Sequence, residues 1–233
     1  CLEQALRVRS LPMKKTDKAL IDYLTRDEMN ALLAAPDPTT VVGLRDRAML
    51  HLTYAAGLRV SELLALQMDD FSDRSLSTVR VLGKGRRERV LPLWKETQTV
   101  LRAWIAVRPS VQVQELFVNR EGQPLSRDGF AHRLAVHVAA AVRRKPTLAE
   151  KRVTPHVLRH SCAMHTLEAT GDIRKVSLWL GHASLQSTEA YLRVDPAEKL
   201  AILASNAAPA VPKGRFRTPD RLLAMLAEIQ KSR

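Results

Sequence analysis

The sequence predicts a mainly α-helical fold carrying one small antiparallel β-sheet, an α+β class. Three observations predict it. Apolar residues recur at helical spacing through most of the chain beyond residue 25. One stretch, 77–93 (STVRVLGKGRRERVLPL), changes period to two β-branched runs around Gly83-Lys84-Gly85, a hairpin signal. The 233 residues are 45% hydrophobic and 26% charged, which suits a globular chain with a real core.

Taken in order, residues 1–24 are basic and mixed (RVRSLPMKK lies within them) and read as a linker or arm. A helix is expected over 25–35 (TRDEMNALLAA), with Thr25 as N-cap and Glu28 at capping-box spacing; Pro36 and Pro38 end it. The next spans 44–56 (LRDRAMLHLTYAA), where Leu44, Ala48, Leu52 and Ala55 share a face and Gly57 suits the C′ position. A short helix through SELLALQ follows at once. The hairpin comes next, and LFVN (116–119) is expected to add a third short strand. Helical patterning then returns, with turns near Lys145-Pro146, Gly171-Asp172 and Gly181. Residues 205–218 form a Pro/Ala/basic linker, and a last helix starts with Thr218 as N-cap and Pro219 at N1. No internal repeat is present.

Charge narrows the function classes. Lys+Arg number 37 against 24 Asp+Glu, a net +13. Such an excess favours a polyanionic partner, through long-range steering and counterion release from phosphates. Nucleic acid leads; a ribosome-associated protein, an anionic membrane surface or a merely basic enzyme are the alternatives. No run approaches the roughly 20 apolar residues of a membrane span. The opening CLEQALRVRS lacks the apolar core of a secretory signal. Two cysteines, Cys1 and Cys162, are too few for a disulfide framework and fit a reduced compartment.

The stretch 154–165, TPHVLRHSCAMH, concentrates three histidines, an arginine and a cysteine. Thr154-Pro155 reads as an N-cap and N1 pair, so the segment should be helical. On that helix His156, Arg159 and Ala163 share one stripe, while Leu158, Cys162 and His165 share another. A zinc site needs converging ligands, which this arrangement does not offer. An anion site fits the first stripe: the helix start favours phosphate, Arg binds it bidentately, and His donates to it or moves a proton. An exposed polar face without a ligand accounts for the same residues.

Three further segments bear on that choice: GLRVSELLAL (57–66), GKGRRERVLPL (83–93), and LWLGHASLQSTEAYLRV (178–194). Each alone reads as an ordinary surface stretch. Together, the motifs GLRVSELLAL, GKGRRERVLPL, HVLRHSCAMH, LGHAS and STEAYLRV, in that order from about Thr25 to Ala204, resemble the catalytic domain of the tyrosine recombinases, the phage-integrase family of site-specific DNA recombinases.

The resemblance implies a tyrosine-recombinase-like fold and a role for each matched residue. Tyr191 would attack a DNA phosphodiester, leaving a 3′-phosphotyrosyl link and a free 5′-hydroxyl, so bond energy is conserved without ATP. Arg59 and Arg159 would clamp the non-bridging oxygens, where the pentacoordinate transition state gathers charge. His182 would hydrogen-bond the same phosphate. His156 would assist proton removal from Tyr191, whose phenol ordinarily ionises near pH 10. Lys84 would protonate the departing 5′-oxygen. Glu62 would orient Arg59 or His156. Arg86, Arg87 and Arg89 are expected on the DNA backbone, although a solvated hairpin face would read the same. Cys162, Met164 and Leu167 are expected in or near the core, and Trp94, Trp104 and Trp179 in packing rather than base stacking. With cations supplying the charge stabilisation, no metal or other cofactor is expected.

The expected organisation is a basic arm (1–24), a catalytic domain (25–204), and a C-terminal linker with an amphipathic helix (205–233). Because the chain opens on Cys1 with only a short arm, a fragment lacking the family's N-terminal DNA-clamping domain is expected. The implied partners are double-stranded DNA and other recombinase protomers in a tetrameric synapse, in a bacterial, nucleoid-associated, cytoplasmic setting and away from membranes. The alternatives are relaxation of DNA by type IB topoisomerase chemistry, a catalytically silent DNA-binding module, and a metal-dependent hydrolase. In DRLLAMLAEIQK (220–231), Leu222, Leu223, Leu226 and Ile229 form an apolar stripe that needs a covering surface. Docking in trans on another protomer, or back on its own domain, would cover it. Deleting residues 213–233 is expected to weaken protomer assembly on DNA, measured by sedimentation; unchanged assembly rules out docking in trans.

Overall fold

A computed structural model describes residues 22–71, 75–83 and 88–181. Lys84, Arg86, Arg87, His182, Tyr191 and the expected helix at 218–231 lie outside the described residues. Helix α1 (Arg26–Leu33) begins at the expected capping box: Thr25 Oγ1 accepts from the Glu28 N–H, and Glu28 Oε2 accepts from the Thr25 N–H at 2.8 Å. The packed body starts before Thr25, because Leu24 is fully buried and its N–H donates to Ser161 Oγ (2.9 Å).

Helix α2 (Val41–Ala55) buries Ala48, Met49, Leu50 and Leu52 and packs against α4 (Lys95–Val107) and α6 (Pro155–Thr170). It starts three residues before the expected apolar stripe because Thr40 caps it, accepting from the Gly43 N–H. It ends in a Schellman turn: the Gly57 N–H bonds Tyr54 O, and the Leu58 N–H bonds Thr53 O at 3.0 Å. Gly57 takes φ +57°, and a Cβ there would sit 3.2 Å from Cys162 Sγ. Only glycine fits both demands. The short α3 (Val60–Leu64) leaves this turn directly.

Strands β1 (Thr78–Leu82) and β2 (Glu88–Pro92) form the hairpin, antiparallel, with Val81 opposite Arg89 and Leu82 opposite Glu88. LFVN does not join it. Val118 makes one bridge to Pro124, and the segment is buried: Trp104 stacks on Phe117 (centroids 6.5 Å apart) and donates from Nε1 to Leu116 O. Its apolar run, which reads as a third strand, serves the helical core instead. Helix α5 (Arg127–Val142) lies beyond it, tied to α2 through Asp46, which accepts from Arg45 and Arg133 and pairs with His137 at 2.8 Å. Helix α6 starts at Thr154-Pro155 as expected and stops at Gly171; α7 (Ile173–Leu180) stops at Gly181, which takes φ +64°. Cys162, Met164, Leu167 and Trp104 are buried, whereas Trp94 is exposed beside Tyr54.

Several buried groups make stability pH-dependent. Burial, with the Arg47 charge adding, pushes His51 down from 6.5 to about 4. Burial and the nearby Arg26 push His165 down equally, to about 4. Burial alone would raise the Glu28 carboxyl, but hydrogen bonds from Lys151, Thr147 and the Thr25 N–H outweigh it and bring it from 4.5 to about 2. The unfolded chain takes up the histidine protons near pH 6.5, and the folded chain resists until about 4. Stability should be full above pH 6.5, fall toward pH 4, and fall again from pH 4.5 toward 2 as Glu28 protonates. Urea midpoints across this range check it, and His51→Gln with His165→Gln should flatten the upper step.

Candidate active site

The site begins with the turn that ends α2. Leu58 is buried, so Arg59 emerges in extended conformation as the residue before α3. Glu62 then falls at the third position of that helix. Its Oε2 accepts the Arg59 N–H (2.9 Å), and its Oε1 accepts Arg59 Nη1 (2.8 Å). An acidic residue here is the usual complement to unpaired helix-start N–H groups.

Two more arginines reach the same carboxylate from distant segments. From β2, Arg89 donates Nη2 to Oε2 (2.8 Å) and Nη1 to Oε1 (3.3 Å). From α6, Arg159 Nη1 stands 3.7 Å from Oε2. Arg159 also donates Nη1 to Gly57 O and Nη2 to Leu180 O, the latter at 2.8 Å. It therefore fastens the Arg59 turn to the end of α7. Exposure differs sharply within the group: the side chains of Glu62, Arg159 and Arg89 are 4%, 6% and 10% exposed, whereas Arg59 is 36% exposed. Burial by itself would raise the Glu62 carboxyl; the hydrogen bonds from Arg89 and Arg59, with the Arg89 charge, overcome this and hold it below the usual range.

The remaining histidines of the TPHVLRHSCAMH segment diverge. His156 is exposed at the start of α6. His160 is half-buried; burial lowers its pKa, and the charges of His156 and Arg159 add to this. His165 turns the other way, its Nδ1 bonded to Tyr54 Oη at 2.8 Å. Burial pushes the Cys162 thiol up to about 11, which makes it a core group rather than a nucleophile. Among the described residues, no three His, Cys, Asp or Glu side chains gather as a metal site would require. Burial also raises the Tyr54 phenol, which suits its place against His165 and not an attack on phosphate.

Of the matched residues described, Arg59, Glu62 and Arg159 come together; His156 stands one turn before Arg159 on α6. Arg89 reads in the sequence as a DNA-backbone contact or, alternatively, as part of a solvated hairpin face; in the structure it is not solvated but turns inward to Glu62. The signal was available in strand alternation: Leu91 is buried, and Arg89, two residues earlier, shares its face. The carbonyls of Gly57 and Leu180 had no such signal, since every residue has one.

Comparison with known proteins adds to this geometry. A model of the phage integrase family matches residues 22–198. An integrase/recombinase of Sinorhizobium fredii is 41% identical over 223 residues, covering 96% of this chain and 67% of that protein. Tyrosine recombinase XerD of Listeria innocua is 39% identical over 186 residues, covering 77% of this chain and 60% of that protein. The chain thus spans 60–67% of the length of these relatives. Among solved structures, XerA recombinase matches with a TM-score of 0.68 and 27% identity, over 80% of this chain and 66% of that one. XerH site-specific recombinase, bound to a palindromic difH substrate after cleavage, matches with a TM-score of 0.70 and 25% identity, over 84% of this chain and 58% of that one.

Glu62→Ala should leave Arg89 and Arg159 as buried cations without their counter-charge. A loss of about 3–5 kcal/mol in urea unfolding is expected, as for one half of a buried ion pair. Glu62→Gln, which keeps an acceptor oxygen, should lose less.

Proposed function

This chain belongs to the phage integrase family, and from that premise we propose that it is the catalytic part of a site-specific DNA recombinase working through a covalent tyrosine. The observation that carries the reading is the gathering of Arg59 and Arg159, a hundred positions apart in sequence, on one buried carboxylate. Two guanidinium groups held in register can stabilise the charge that develops on a scissile phosphate.

In the proposed step, the Tyr191 oxygen forms a bond to phosphorus as the bond from phosphorus to the 5′-oxygen breaks. The phenolic proton passes to His156, and Lys84 gives a proton to the departing 5′-oxygen. Arg59 and Arg159 offset charge on the non-bridging oxygens, with His182 donating to the same group. Rejoining reverses these transfers with a different 5′-hydroxyl. Cationic stabilisation of this kind requires no divalent metal, so cleavage should persist in EDTA.

Assembly follows from the same reading. The partners are double-stranded DNA and further protomers in a tetrameric synapse, with the C-terminal helix docked in trans. Its receiving surface is an apolar cavity of about 400 Å³ beside α7, lined by Tyr54, Trp94, Cys162, Leu178 and Trp179. Trp94 and Leu178 are 53% and 80% exposed there, a surface that a Leu-rich helix would cover. Among the described residues no helix is long and apolar enough to cross a membrane. A DNA substrate places the protein with the nucleoid of a bacterial cell.

A nicked suicide duplex, from which the cleaved end diffuses away, tests the chemistry. Wild type should form a covalent protein–DNA adduct in EDTA, and Tyr191→Phe none. Lys84→Ala should slow cleavage much more with a 5′-oxygen than with a 5′-thio leaving group, which needs little protonation; equal slowing removes Lys84 as the acid.

A further inference from the structure

Arg89 spends both terminal nitrogens on Glu62, one on each carboxylate oxygen. Oε1 then holds Arg59 Nη1 and Arg89 Nη1, while Oε2 holds the Arg59 N–H and Arg89 Nη2. A carboxylate with two donors on each oxygen has no free rotation left. Without Arg89 each oxygen loses one donor, and Glu62 can turn away from the Arg59 side chain while still capping its N–H.

Arg89 also lies beside Gly181: a Cβ built there would lie 3.0 Å from Arg89 Cδ and 3.1 Å from its Nη1, so the Arg89 side chain fills the space that a side chain at 181 would need. Arg159 holds the preceding carbonyl, Leu180 O, at 2.8 Å. The turn at the end of α7 is thus held by Arg159 and flanked by Arg89, and the two arginines meet at Glu62.

We propose that Arg89 is a positioning residue for strand cleavage: it locks Glu62, and through it Arg59, and packs beside the turn that ends α7, without touching DNA itself. The inference rests on the recombinase reading above. Its register position, opposite the fully buried Val81, fixes it on the inner face of the hairpin.

The test compares wild type, Arg89→Ala, Arg89→Lys and Tyr191→Phe. Affinity is measured by anisotropy on a duplex pool of randomised sequence at several salt concentrations. The adduct-forming rate is measured at saturating concentrations of a nicked form of the same pool. Folding is followed by circular dichroism. Arg89→Ala should lower the adduct rate by about 10–100-fold, as expected for a misplaced reacting group. Kd and its salt dependence should stay at the wild-type values, and Arg89→Lys should restore part of the rate. An unchanged adduct rate overturns the inference. So does a salt slope shallower by about 0.9, which would mark Arg89 as a direct phosphate contact. Failure of both variants to fold makes Arg89 a structural residue and overturns it too. If wild type forms no adduct, the recombinase reading fails and takes the inference with it; an adduct with wild type but not with Tyr191→Phe upholds that reading whatever the Arg89 variants do.

Discussion

One buried carboxylate governs the organisation of the site. Three guanidinium groups brought within a few ångströms repel one another, and burial strips away the water that would screen them. Glu62 resolves this by accepting from Arg59 and Arg89 and standing near Arg159. Its place is set by local rules: a Schellman turn ends α2, Arg59 precedes α3, and Glu62 falls where helix-start N–H groups need an acceptor. A capping contact thereby becomes the anchor of a long-range cluster.

Arg159 shows how that cluster is joined to the backbone. Its donors reach Gly57 O and Leu180 O, so a residue on α6 fixes the end of α2 against the end of α7. Both carbonyls belong to turns that depend on left-handed glycines, Gly57 and Gly181. Such an arrangement fixes the Arg159 guanidinium within the folded chain itself, by hydrogen bonds to two backbone carbonyls.

The same device recurs away from the site. Asp46 gathers Arg45, Arg133 and His137, and Glu28 gathers Lys151 and Thr147. Each hub sits at a junction of helices and uses several donors on one acid, which satisfies the buried carboxylate on all sides. These internal pairs leave the net charge of +13 unaltered, because each pairing consumes both signs. The surplus that favours a polyanion is a property of the whole chain.

Much of the architecture was legible in the residues themselves, since capping and hairpin chemistry act over short spans. Thr25 with Glu28, Thr154 with Pro155, and Gly57 after an apolar stripe each mark a boundary that the molecule uses. The motif order was equally legible and led to the family. LFVN misled because a short apolar run is the same signal in a strand and in a buried connector. The inward turn of Arg89 was not legible in the hairpin's basic composition, which reads as one solvated face until alternation assigns each residue to a side. The meeting of β2, α3, α6 and the end of α7 at Glu62 was decided by tertiary structure alone. Local sequence rules state what each segment becomes, whereas which side chains share one carboxylate depends on how separate segments pack, and that information is spread over the entire core.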